Sequence, residues 1–220
     1  MVEAAKSLFL FVSALFPIVD PLGGSPIFLA MTRQYSPGSR RALSWRIAIN
    51  SFFLLVGSYF IGNHVLSFFG ISIPVVQVGG GLVVISTGWT LLKQGADVGQ
   101  QEVKRDIHAN DPFSNAFYPL TMPLTVGPGS ISVAITLGAN APPHSVFSLV
   151  SILVAIVGSV LLAVSIFLCY GFADRLGHVL GTTGMTVIMQ LASFLLVCIG
   201  VQILWRGASA LLSSLPLHAH

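Results

Sequence analysis

Two short stretches of this chain combine helix-breaking residues with polar ones, and their chemistry suits a small charged ligand. They cover 16–26 and 118–128, and each contains three prolines at the same spacing. One constant offset relates the two sets, Pro17, Pro21 and Pro26 to Pro119, Pro123 and Pro128. Proline removes a backbone donor and clashes with the preceding turn, so we expect both stretches to interrupt a helix and free backbone groups for binding.

Each stretch ends with a pair typical of a helix start, Ser25-Pro26 in the first and Gly127-Pro128 in the second. The pairs predict helices that restart over about 26–33 and 128–139, roughly 12–18 Å long at 1.5 Å per residue. A helix N-terminus offers unpaired N–H groups and a partial positive charge. Two such ends facing each other would bind a carboxylate.

The remaining residues of the two stretches complete a predicted site for a small zwitterion. Glycines allow close backbone approach, hydroxyls add donors and acceptors, and unwound carbonyls accept an ammonium group. The predicted substrate-binding residues are Asp20, Gly23, Gly24, Ser25, Thr121, Thr125, Gly127, Gly129 and Ser130. The alternative is that proline and glycine only bend helices for packing, but the matched pair favours a site.

Asp20 is the acid that lies clearly inside an apolar stretch, and its charge is costly to bury there unless it is solvated or paired. Two roles are open: capping of N–H groups freed at Pro21, or coupling to a proton or another cation. The residue at the equivalent position of the second stretch is Met122. Any chemistry of the acid is therefore confined to one half.

The composition indicates which elements must carry these residues. Of 220 residues, 54% are hydrophobic and 8% are charged, which is typical of an integral membrane protein. Apolar stretches of membrane-spanning length cover about 4–33, 43–68, 74–93, 115–139, 146–172 and 185–206. The sequence predicts an all-α integral membrane protein of six transmembrane helices, with helices 1 and 4 broken near the midplane.

The chain divides into two halves of three spans. We predict a first three-helix repeat over 1–93, a cytoplasmic linker over 94–114 and a second three-helix repeat over 115–220, together forming one membrane domain. An odd number of spans per half reverses the second half in the bilayer. The shared proline motif therefore predicts inverted repeats.

Basic residues predict the orientation. Eight of the ten lysines and arginines flank the 1–2, 3–4 and 5–6 connections, whereas Lys6 and Arg206 lie on the other side. Cytoplasmic loops carry the excess of Lys and Arg, so both termini are expected on the outer, periplasmic side.

Other function classes lack support in the sequence. We find no P-loop, nucleophile elbow, paired carboxylates or histidine pair with metal-ligand spacing, so we expect no enzyme activity, cofactor or metal. The basic residues form no nucleic-acid patch.

The chain resembles the MarC family of bacterial six-span membrane proteins, which includes the SnatA-type small neutral amino acid transporters. The resemblance rests on the runs 20–28, 69–74, 79–82, 119–123, 127–130 and 195–202. It implies an inner-membrane protein with two inverted three-helix repeats, a central site at the broken helices and transport coupled to an ion gradient. Many members carry asparagine at the position of Asp20.

Together these observations predict a secondary transporter of small neutral amino acids such as glycine and alanine, coupled to a proton or sodium ion and working by alternating access. The alternatives are an exporter of another small metabolite or drug, a passive channel and a non-transporting membrane protein.

Overall fold

The protein is helical throughout the part that the computed structural model describes, namely residues 2–96, 116–140 and 149–214. Seven α-helices and one irregular helical segment occur there: α1 Val2–Val19, α2 Pro21–Met31, α3 Pro37–Phe68, α4 Ile73–Ala96, the irregular segment Ala116–Thr125, α5 Pro128–Ala139, α6 Leu149–Gly171 and α7 Ala173–Ser213. Most of the predicted linker 94–114 lies outside the described residues. No strand is present within these ranges.

The predicted membrane spans are found, with two differences in length. Five helices are long and apolar enough to cross a membrane, and a sixth span results if the irregular segment and α5 count as one bent span. Helix α3 begins at Pro37 instead of 43, because the Ser36 side chain caps it by accepting a hydrogen bond from the Ser39 N–H. Helix α7 begins at Ala173 instead of 185, and Gly181 interrupts it with φ 64°.

Helices α4 and α7 pack at very short range because small residues recur along both. A β-carbon added at Gly81 would lie 2.6 Å from the Leu204 nitrogen, and one added at Gly207 would lie 2.6 Å from the Pro74 carbonyl oxygen. Gly88 similarly faces the Ser193 carbonyl. The contacts run in opposite chain directions, so the helices are antiparallel. Gly81 and Gly88 therefore have a packing role, the role that small residues commonly have between membrane helices.

The other helices surround the two interrupted spans. Helix α3 packs against α5, α6 and the irregular segment, while α6 also contacts α1 and α2. Helix α2 contacts α7, and α5 contacts α4. Of three apolar clusters among the described residues, the two larger contain Phe28, Ile47 and Tyr170 in one and Leu15, Leu55 and Leu162 in the other. Protein thereby covers much of both interrupted spans, as freed backbone groups require in a membrane, while Phe117 and Tyr118 of the irregular segment are exposed.

Candidate functional site

The first interruption is a single residue, Asp20. Its backbone adopts the left-handed conformation, φ 44° and ψ 61°, which L-residues avoid unless a short polar side chain can bond locally. Asp20 does so, because its carboxylate accepts a hydrogen bond of 3.0 Å from the Gly23 N–H. Pro21 then occupies the first position of α2, where its missing N–H has no consequence. The expected capping role of Asp20 is therefore observed.

The helix restart predicted at Ser25-Pro26 is wrong. Helix α2 already begins at Pro21, and Pro26 lies inside it. The cap from Asp20 lets the helix start one turn earlier, so Ser25 is an interior residue and not a helix end. Its buried hydroxyl lies 2.8 Å from the Pro21 carbonyl oxygen and 3.1 Å from that of Cys169 on α6. Pro17 likewise lies inside α1 without ending it.

The second interruption extends over the whole irregular segment, which contains the run X-Pro-Leu-Thr twice in succession. The residue before each proline has extended backbone, at Tyr118 and Met122, as a following proline favours. Each threonine hydroxyl donates to the carbonyl five residues earlier, at 2.7 Å for both Thr121 and Thr125. These hydroxyls add side-chain hydrogen bonds to backbone carbonyls inside the disturbed segment. The predicted break at Pro119 and Pro123 is thus observed.

Helix α5 restarts where the sequence predicted. Pro128 is its first residue, and Gly127 precedes it with extended backbone and no side-chain cap. The axis bends by 68° between the irregular segment and α5. Gly129 and Ser130 are buried in the first turn, with Gly129 against Val84 of α4. This N-terminus therefore keeps backbone donors that no side chain of the cap residue occupies.

Tyr170, which the sequence reasoning did not single out, brings the two interruptions together. Its hydroxyl lies 3.1 Å from the Thr125 hydroxyl, and a β-carbon at Gly24 would lie 2.5 Å from it. Its ring stacks on Phe28 of α2, with centroids 4.7 Å apart. The signal was a tyrosine within the apolar run 149–171, because a buried phenol needs a hydrogen-bond partner.

The predicted site residues are closely packed. Ser25, Thr121, Thr125 and Ser130 are each at most 2% exposed. The space beside Gly23 is filled by the Asp20 carboxylate and Ala192, so this glycine, like Gly24, faces protein atoms. Of two surface grooves, one lies between α3 and α6 and the other lies between α4 and α5, with Pro128 in its lining. The described conformation is therefore closed around Ser25, Thr121 and Thr125.

Further polar side chains lie within the bundle near the irregular segment. Asn50 of α3 donates to the Thr121 hydroxyl at 3.3 Å and so links α3 to the irregular segment. Ser51 and Ser159 are fully buried, and within the described ranges their hydroxyls have no hydrogen-bond partner. An unpaired buried hydroxyl costs roughly 1–3 kcal/mol, so these two groups lower the stability of the described conformation.

An arginine joins the two halves at the end of α2. The Arg40 guanidinium forms an ion pair with Asp174 at the start of α7. It also donates to the Thr32 carbonyl at 2.9 Å and to the Arg33 carbonyl at 3.3 Å. A cation at a helix C-terminus is stabilised by the helix dipole. Arg40 therefore clamps the end of the first interrupted span to the second half of the chain.

Comparison with known proteins assigns the family. The MarC family of integral membrane proteins matches over residues 5–212. The chain belongs to this family. The inner membrane protein MarC of Salmonella typhimurium is 30% identical over 213 residues, which cover 94% of this chain and 96% of the relative. The MarC protein of Escherichia coli O1:K1 is 30% identical over 212 residues, with the same coverage.

The MarC relatives are similar to this chain from end to end, so both interruptions and Tyr170 fall within the shared region. Their names place those proteins in the inner membrane and state no substrate. No solved structure matches the chain.

Proposed function

We propose that this protein is a secondary transporter of small neutral amino acids such as glycine and alanine, located in the bacterial inner membrane and working by alternating access. The observation that carries the proposal is the meeting of both interrupted spans at the buried Tyr170 hydroxyl. Interrupted spans in corresponding positions of two halves are a common way to build a transporter site. Eight of ten basic residues on one side support a periplasmic location for both termini.

Inverted repeats are part of the proposal, and the helix contacts support them. Inverted repeats would make the irregular segment the equivalent of α1, α5 that of α2, α6 that of α3 and α7 that of α4. Each contact in one half then has an equivalent contact, and both members are observed for α2–α7 and α5–α4, for α3–α5 and α6–α2, and for α1–α6 and the irregular segment with α3. The other main contacts, α3–α6 and α4–α7, each join two equivalent helices. The antiparallel course of α4 and α7 fits a twofold axis in the membrane plane.

The two interruptions differ in charge in a way that suits a zwitterion. Asp20 places a carboxylate at the start of α2, so this end accepts an ammonium group. The start of α5 has backbone donors and no side-chain cap at Gly127, so it accepts a carboxylate. A glycine or alanine molecule bound between Asp20 and Gly127–Ser130 would satisfy both ends. The hydroxyls of Thr121 and Thr125 would complete the site.

The closed packing supports alternating access more than a permanently open channel. Ser25, Thr121, Thr125 and Ser130 are buried, and the Arg40–Asp174 ion pair joins the two halves at the end of α2. In another state the clamp would open and the two halves would rock apart around Tyr170. Gly23 and Gly24 are in close contact with Asp20, Ala192 and Tyr170, so only a small cargo would fit between the two interruptions when the halves move apart.

Uptake into proteoliposomes tests the proposal. We expect saturable uptake of labelled glycine or alanine, competition by small neutral amino acids, and stimulation by a proton or sodium gradient. Flux that rises without saturation and ignores both gradients would indicate a channel. Saturable transport of other metabolites without competition by glycine or alanine would indicate the alternative exporter. Absence of any flux from folded protein would contradict a transport function.

Two matched glycine variants connect uptake to the site. Gly24→Ala introduces a methyl group 2.5 Å from the Tyr170 hydroxyl, whereas a β-carbon at Gly57 on α3 would meet nothing within 4 Å. We expect Gly24→Ala to reduce uptake at least tenfold (about 1.4 kcal/mol) and Gly57→Ala to leave it near wild type. An equal loss of uptake in both variants would show that the effect of Gly24→Ala does not depend on its contact with Tyr170.

Coupling is the part of the proposal that depends on Asp20. Asp20→Asn keeps the side-chain acceptor and the tolerance for left-handed backbone but removes the charge. If Asp20 couples cation movement to transport, this variant binds substrate and loses gradient-driven accumulation. If Asp20 acts only as a cap, accumulation remains dependent on the gradient.

A further inference from the structure

We infer that the groove between α3 and α6 is a binding site for one anionic phospholipid. The groove has a volume of about 390 Å³ and is lined only by apolar side chains. Trp45 and Phe53 of α3 and Val164 of α6 form its walls and are 47–66% exposed. In a membrane-spanning protein such a slot faces lipid, and its length along 45–53 is about 12 Å, which accommodates part of an acyl chain.

A cation at one end of the groove determines which headgroup would bind. The Arg41 guanidinium lies one helical turn from Trp45, and its carbon is 6.0 Å from the centre of the Phe167 ring. Phe167 is itself a wall of the groove and packs edge-on against Trp45, with centroids 5.5 Å apart. The ring thus holds the guanidinium at the mouth of the slot by a cation–π contact.

The charges near this mouth favour an anion. The groove lining contains no acidic residue, and the nearby carboxylate of Asp174 is paired with Arg40. A phosphodiester bound to Arg41 would extend its acyl chain directly between α3 and α6. Trp45 lies between Arg41 and the rest of the apolar groove, where the headgroup would meet the acyl chain. Indole rings are common at this level of membrane proteins. A zwitterionic headgroup would bring its own cation next to Arg41, so the site favours a phospholipid of net negative charge.

Native mass spectrometry of the purified protein tests the inference with two lipids that share the same acyl chains, dioleoyl phosphatidylglycerol and dioleoyl phosphatidylcholine. We expect the wild type to retain phosphatidylglycerol in preference. One arginine near a membrane surface contributes a factor of about five to anionic-lipid binding, so Arg41→Gln should reduce the preference about fivefold. Arg206→Gln, a basic position distant in the chain and exposed on α7, should leave it unchanged.

A second variant tests the slot independently of the charge. Val164→Trp obstructs the groove and keeps Arg41, so it should also reduce phosphatidylglycerol retention, and Ile49→Trp on the opposite wall serves if the first variant does not fold. An unchanged lipid preference in Arg41→Gln, or unchanged retention in the obstructed variant, would overturn the inference. If the purified protein is a dimer and the obstructed variant is monomeric with unchanged lipid binding, the groove is a contact between copies of the chain. That result would also overturn the inference.

Discussion

The two interrupted spans have prolines at identical spacing and yet break in different ways. In the first span one residue, Asp20, separates two regular helices, and a side chain caps the second of them. In the second span a ten-residue irregular segment precedes a 68° bend, and α5 starts without a side-chain cap. Both breaks nevertheless meet at Tyr170.

The difference follows from the residues between the prolines, because these supply different side-chain hydrogen bonds to the backbone. Asp20 offers a carboxylate to the Gly23 N–H at the start of α2, so a regular helix can form at once. Its counterpart Met122 offers no such group, and the carbonyls of the second segment are bonded by threonine hydroxyls instead. A proline pattern therefore predicts where a helix is disturbed, and its polar neighbours decide the form of the disturbance.

Replacing the acid should have the largest effect on this comparison. Asp20→Ala removes a cap contributing about 1 kcal/mol and places alanine in left-handed backbone at a cost of about 1–2 kcal/mol. We expect the apparent free energy of unfolding in micelles to fall by about 2–3 kcal/mol, while Met122→Leu changes it by less than about 1 kcal/mol. Similar losses in both variants would mean that the two breaks do not differ in this respect.

Removing one threonine hydroxyl tests the second break. Thr125→Val removes the side-chain hydrogen bond to the Leu120 carbonyl and leaves the buried Tyr170 hydroxyl without its Thr125 partner, so we expect a loss of about 1–2 kcal/mol in the same unfolding measurement. Thr32→Val is the matched control, because Thr32 is equally buried but its hydroxyl donates to the Phe28 carbonyl one turn earlier instead of linking two helices. An equal loss in the control would argue against a special role for the segment's hydroxyls.

The smallest effect concerns the clamp at the end of α2. A double-mutant cycle with Arg40→Gln and Asp174→Asn should give a coupling energy of about 0.5–1 kcal/mol, because Asp174 is partly exposed. If the clamp holds one state closed, Arg40→Gln should also raise the accessibility of a cysteine placed at Ser25 to a thiol reagent in a Cys169→Ser, Cys198→Ser background. Unchanged labelling would limit the ion pair to a structural role.

The sequence alone determined the membrane class, the positions of the apolar spans and the restart of α5 at Pro128, because hydrophobic length and proline sterics act locally along the chain. Helix α2 begins at Pro21 and not at Pro26, because the Asp20 side chain caps the earlier position. The local preference of Ser-Pro for a helix start predicted the later position, which was wrong. The contact of Gly24, Thr125 and Tyr170 was decided only by tertiary structure, because residues so far apart in sequence meet through the packing of whole helices, which no local pattern encodes.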